Sequence, residues 1–200
     1  MRNTKCAFKG LLYALVVLAL MPSCEHIGSV ELKGNYYSYN CGMFLNGYEY
    51  HEASTSGTPF HPLFKGINDS DKLIFEVKVR NVRSINSYDM CYLRFVFVVR
   101  SEDVEDGVLI ARKNVKPLPS YNEEFSYSDE MEIPFFGAYF DNPYFYSGDY
   151  TVSDGSFRLE GIEYDTEKGI YRCKKGLFAL EAVSAFGEKL DISDGYIIFE

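Results

Sequence analysis

Three histidines, His26, His51 and His61, are the first residues to weigh for chemistry in this chain of 200 residues. A Ser-His-acid triad needs an imidazole beside a nucleophilic serine and a pair of oxyanion donors. No Gly-x-Ser-x-Gly elbow occurs, and that turn is what exposes the nucleophile in one large hydrolase class. His61 stands in Thr58-Pro59-Phe60-His61-Pro62, a proline-bracketed loop where an imidazole is ordinarily just solvated. A glycosidase would need two carboxylates about 5 to 9.5 Å apart. Among 29 acids some pair always meets that spacing, so the sequence selects none. Calcium would take hard oxygen ligands such as those of Asn68-Asp69-Ser70-Asp71 or Glu102-Asp103-Val104-Glu105-Asp106. Neither stretch has the 12-residue loop with a closing glutamate, and acidic turns are usually solvated. No catalytic constellation emerges, so a non-catalytic role is expected, with no cofactor and no metal.

The richest recognition chemistry lies in Phe135 to Tyr150, FFGAYFDNPYFYSGDY, with eight aromatic residues among sixteen. Strand alternation in a segment interrupted by proline cannot bury all eight, although about half belong in a core. Tyrosines beside Asp141, Asn142 and Asp149 suit a contact surface, because an amphipathic ring contributes area at low entropic cost. Tyr139, Tyr144 and Tyr146 are therefore the candidate binding surface. Sugars also stack on such rings, but the chain has no Trp.

The cysteines are Cys6, Cys24, Cys41, Cys91 and Cys173. With no Cys-x-x-Cys spacing, and with His26, His51 and His61 far in sequence from Cys41, Cys91 and Cys173, a zinc site is a poor reading. Cys91 shares its parity with Leu93, Phe95, Phe97 and Val99, and Cys41 with Met43 and Leu45. Both sit at inward strand positions, either as small buried hydrophobes or as one half of a single bridge. Which of Cys41, Cys91 and Cys173 would pair is not encoded.

Charge depends on where the chain starts. Met1 to Lys9 carries Arg2, Lys5 and Lys9 with no acid, and Leu11 to Leu20 is ten residues without a charge. This is the layout of an export signal, and it is too short to span a bilayer, which takes about 20 apolar residues. Met21-Pro22-Ser23-Cys24 follows and resembles the lipobox of bacterial lipoproteins, with Met21 and Pro22 departing from the strict pattern. The resemblance implies cleavage before Cys24 and its lipidation. Expected parts are a signal peptide at 1–23, a tether at 24–34 and one domain at 35–200. Without the signal, the formal charge of −9 falls to −12, since 17 bases then face 29 acids. Such acidity argues against nucleic acid as a partner. Nine acids lie between Glu102 and Glu132, near only Arg112, Lys113 and Lys116.

The elements that must position these residues read as strands. Asn46-Gly47 between Tyr36–Leu45 and Tyr48–His51 supplies the two positive-φ residues of a type I′ hairpin. Leu73 to Val82 alternates, with Phe75, Val77 and Val79 on one side and Glu76, Lys78 and Arg80 on the other, which gives a half-wet antiparallel strand. Cys91 to Arg100 carries Val96 and Val98 on its second face and reads as a strand covered on both sides. Asp106-Gly107 turns into Val108–Arg112. Four prolines, Pro117, Pro119, Pro134 and Pro143, make Lys113 to Pro143 a long connection with at most short edge strands. Strands then resume at Tyr150–Val152, Phe157–Tyr164, Ile170–Cys173, Leu177–Val183 and Gly195–Phe199, with turns at Asp154-Gly155, Asp165 to Gly169, Phe186-Gly187 and Asp194-Gly195. Ala179 to Phe186 would suit a helix by composition, but Gly176 and Gly187 bound it tightly, so it reads as strand. Ser-Asp-Gly recurs at 153–155 and 193–195, an offset of 40, and reads as two similar turns. The expected fold is all-β: an antiparallel β-sandwich or flattened meander barrel of about nine or ten strands.

Gly176-Leu177-Phe178-Ala179-Leu180-Glu181, then Gly187-Glu188-Lys189-Leu190-Asp191-Ile192-Ser193-Asp194-Gly195, together with Phe44-Leu45-Asn46-Gly47, resembles the small uncharacterised all-β lipoproteins of gut Bacteroidota. The likeness covers the signal and the two ends of the chain. It implies a fold and a place in the cell envelope, held at the outer membrane, and no activity. The expectation is an anchored lipoprotein that binds a protein or glycan ligand. A glycan-related hydrolase accessory and a purely structural envelope component are the alternatives.

Overall fold

The computed structural model describes residues 40–52, 62–69, 71–84, 90–112, 114–126, 128, 131–142 and 150–199. The expected signal peptide, Cys24, the tether, His61, Tyr144 and Tyr146 lie outside them.

The chain folds into strands wherever apolar residues alternate. β1 (Cys41–Leu45) and β2 (Tyr48–Glu52) form the expected hairpin. Asn46 and Gly47 take φ of 48° and 81°, as a primed turn requires. The Asn46 side chain also accepts the Asp191 amide at 2.9 Å, which fixes the hairpin tip to a distant strand. β3 (Leu63–Asp69) and β4 (Lys72–Ser84) follow, then β5 (Met90–Arg100). Phe75, Val77 and Val79 are fully buried, as are Cys91, Leu93, Phe95, Val96 and Val98. β5 is therefore covered on both faces, as its sequence requires.

β6 (Val108–Arg112), β7 (Lys116–Pro117) and β8 (Phe135–Asp141) come next. β8 corrects the sequence reading of this region as a connection with at most short edge strands. Pro134 stands just before it and Pro143 just after it, so the prolines bracket a seven-residue strand instead of interrupting it. β9 (Tyr150–Glu160), β10 (Glu163–Asp165), β11 (Ile170–Arg172), β12 (Lys175–Ser184) and β13 (Lys189–Ile198) complete the chain. β12 confirms the strand over the ambiguous Ala179 region.

Two expected turns are strand interior. Asp154-Gly155 lies within β9 and Asp194-Gly195 within β13, each where the ladder with β12 shifts register. These are β-bulges, where one extra residue bends the strand. The repeated Ser-Asp-Gly thus marks two bends on either side of β12. Gly155 and Gly195 are required by close approach. A Cβ there would meet Leu180 Cδ2 at 2.6 Å or the Phe178 ring at 2.5 Å. In contrast, Phe157–Tyr164 is not one strand. Gly161 takes φ of 70° and turns the chain into the separate β10–β11 hairpin.

Eleven strands form one sheet in the order β6-β9-β12-β13-β1-β2-β4-β5-β8-β7, with β3 added to β4. Apart from the short parallel β7–β8 pair, every ladder is antiparallel. The path is not the expected meander, since β5 neighbours β8 and β13 returns to β1. The sheet folds over itself at β1–β2 into a sandwich. Phe95 of β5 lies 4.4 Å from Phe157 of β9 and 5.1 Å from Phe178 of β12, centroid to centroid, while Phe97 stacks on Phe136 of β8 at 5.0 Å. Such rings bury the most area per residue and tie the layers face to face. The sheet does not close into a barrel.

Candidate functional site

The two layers meet again on the side opposite β1–β2, where β7 and β8 come against β9. β7 pairs with β8 for two residues only, Lys116 with Gly137 and Pro117 with Ala138. One further bond, from the Leu118 amide to the Ala138 carbonyl at 2.9 Å, ends that ladder. On the far wall, the ladder of β6 with β9 stops at Arg112 and Ser156. Beyond both stops the seam opens into a cleft of about 370 Å³. Leu118, Tyr139, Phe140, Asp141, Tyr150 and Thr151 are among its lining residues. This volume is in the range of small-ligand sites.

β7 is an edge strand: Leu118 turns its amide to β8, so Pro117 and Pro119, which have none, face the open side where no ladder needs a donor. The chain then leaves the seam and crosses the outer face of β5, where the Ser120 carbonyl accepts a bond from Arg94 Nη1 at 2.8 Å. Arg94 is 1% exposed, and its charge is met by Glu76 of β4, with Nε donating to Oε1 at 2.8 Å. Tyr121 settles beside this pair, its ring 5.5 Å from Tyr92 and 5.8 Å from Lys78 Nζ. Burial raises the Tyr121 phenol above its ordinary pKa of 10.0, so it stays a neutral, uncharged wall. Leu118, Phe125, Met131, Ile133 and Phe135 then cover Val96 and Val98 in a small second core. The first part of the long connection is a packed flap over β5.

Tyr139 is the one expected binding residue that the structure describes. It lies on β8 opposite Arg94, half-buried, with its ring against the second core and its side chain at the cleft. Phe136, Phe140 and Tyr150 of the same aromatic run are buried in the main core, and Phe135 is half-buried in the second. Tyr144 and Tyr146 lie outside the described residues. Asp141 was named from sequence only as a polar neighbour of the tyrosines, and Thr151 and Leu118 were not singled out. No local signal marks them, because the cleft is made by strands distant in the chain.

The remaining candidates separate. His51 is buried on β2 with Nε2 3.1 Å from Glu49 Oε1. Asp103 accepts the Arg100 amide at 2.7 Å, and Arg100 Nη1 lies 3.4 Å from Glu102 Oε1, so this acidic turn folds back on a base at the end of β5. Glu123, Glu124 and Glu132 belong to the flap, away in sequence from that turn. Among the described residues no group of three His, Cys, Asp or Glu side chains is placed to hold a metal. Cys41, Cys91 and Cys173 are all buried. The Cys173 thiol donates toward the Glu160 and Lys175 carbonyls at 3.3 and 3.4 Å. Compared with models of known protein families, with curated proteins and with solved structures, the chain finds no match in any of the three.

Proposed function

We propose that this chain is a membrane-anchored envelope lipoprotein with a non-catalytic binding role, and that it receives its ligand in the seam cleft between β8 and β9. The observation that carries the binding role is the cleft itself, with Tyr139, Asp141 and Thr151 on its walls. Tyr139, Asp141 and Thr151 bring it a ring, a carboxylate and a hydroxyl beside the buried rings of Phe140 and Tyr150, with the sandwich core behind. Those groups suit recognition by stacking, charge and hydrogen bonding.

The anchor is the lipid on Cys24. Each buried CH₂ contributes roughly 0.8 kcal/mol, so two or more acyl chains hold the domain at the outer membrane essentially permanently. The domain then captures its ligand, a partner protein or a glycan, at that surface. Cys24→Ala releases the protein into the soluble fraction. Sedimentation of the variant with membranes would contradict the anchor.

Binding is tested by screening full-length protein against arrayed glycans and displayed peptides, alongside Thr151→Arg. Thr151 is exposed on β9, so the longer side chain enters the cleft without entering the core. The expected result is a ligand bound by the wild type and lost in the variant at unchanged Tm. A ligand held equally by both places the site elsewhere.

A further inference from the structure

We infer that the ligand is a short extended segment of a partner protein, basic at alternate residues, which enters the cleft as a strand alongside β8. This rests on the cleft being the binding site, and it concerns what the cleft recognises.

The main chain makes the case. Ala138 turns its carbonyl toward the seam, because that carbonyl accepts the Leu118 amide. In a strand successive residues point their backbone groups to opposite sides, so residues two apart share a side. Phe140 therefore presents its amide and carbonyl to the cleft, at the place where a third rung of the β7–β8 ladder would fall. β7 cannot supply that rung. The chain leaves the seam after Leu118, and Ser120, whose amide would make the rung, is carried over the outer face, where Arg94 holds its carbonyl. Among the described residues none continues β7 here, and the cleft takes the place of that continuation. From Ala138 to Asp141 it offers three residue steps, about 10 Å at strand rise. A partner strand of three or four residues fills it, which is recognition by strand addition to a sheet edge.

Side-chain chemistry sets the sequence of that strand. Tyr139 and Asp141 share the outer side of β8, whereas Phe140 faces the core. A strand lying beside β8 therefore sets alternate side chains next to Tyr139 and Asp141, where a Lys or Arg is favoured by the carboxylate and the ring. The intervening side chain faces Phe140, Tyr150 and Val152 and is apolar. The formal charge of −9 adds a long-range pull on a basic segment. A glycan is the poorer fit. Phe140 and Tyr150 are buried edge to face with centroids 6.3 Å apart, which leaves Tyr139 as the one half-exposed ring among the lining residues for a sugar to stack on.

The test pans full-length protein with displayed short linear peptides, with Thr151→Arg as the counter-selection. The tightest peptide is then remade with one backbone N-methyl group at each position in turn. Strand addition predicts a period of two: affinity falls about tenfold at alternate positions, the equivalent of one lost hydrogen bond, and barely changes between them. It also predicts basic–apolar–basic consensus and weaker binding in high salt. No enriched peptide, or one indifferent to N-methylation, overturns the inference. If a glycan instead binds the wild type and not Thr151→Arg, strand addition fails while the cleft stands as the binding site. If neither class distinguishes the two proteins, both readings fail.

Discussion

Arg94 and Glu76 form a buried ion pair across β5 and β4. Nε donates to Oε1 at 2.8 Å, and Nη2 lies 2.7 Å from the same oxygen, close enough for charge though not aimed along a hydrogen bond. The pair is asymmetric. Glu76 keeps Lys78 Nζ at 3.4 Å and some solvent, whereas Arg94 is nearly sealed. Losing the anion should therefore cost more than losing the cation. Glu76→Leu strands a buried guanidinium and is expected to cost about 3 to 5 kcal/mol. Arg94→Met should cost clearly less, and the double variant less than Glu76→Leu alone. Urea unfolding measures all three. Equal costs for the two single variants would contradict the asymmetry.

The bulge glycines give a second expectation. Gly155→Ala brings a Cβ within 2.8 Å of the Ala179 carbonyl oxygen as well as 2.6 Å of Leu180, and backbone cannot step aside as a side chain can. Gly195→Ala meets the buried Phe178 ring at 2.5 Å. Each should lose about 1 to 3 kcal/mol, the usual cost of overpacking. Gly187 has φ of 80° but nothing within 4 Å, so Gly187→Ala costs only the left-handed backbone penalty of about 1 to 2 kcal/mol. Thermal melts that rank Gly187→Ala as the worst of the three would contradict the close-packed bulges.

These glycines also show how far the sequence could be read. Asn46-Gly47 was legible because a two-residue primed turn is local, and β5 because both of its faces are apolar. Asp154-Gly155 and Asp194-Gly195 carry the same letters as a turn. Their glycines answer to Leu180 and Phe178 on β12, which no local window contains. β3 was missed for a similar reason. Leu63, Lys65 and Ile67 face outward, and Gly66 lies under Tyr171, so its pattern shows no clean apolar face. It is a strand because β4 offers it an edge. Of the site, Tyr139 was legible as an aromatic in a polar setting. The cleft beside it was not, since it depends on where β7 stops and on β9 arriving opposite.

Cys173 links stability to alkaline pH. Burial pushes its thiol up from 9.0 to about 11 in the folded protein. The protonated thiol is thus favoured by folding, and its contribution is full below pH 9 and lost as pH rises from 9 through about 11. Unfolding midpoints in urea should fall over that window more steeply for the wild type than for Cys173→Val. Parallel curves would contradict the shifted thiol.

Whether the seam receives the ligand is tested most directly by hydrogen exchange on the full-length protein, free and saturated with whichever ligand the screen returns. The expected result is new amide protection at Phe140 of β8 and at Thr151 and Val152 of β9, the two walls of the cleft. Protection confined to other strands, such as β3 or the β10–β11 hairpin, would contradict a binding site at the seam.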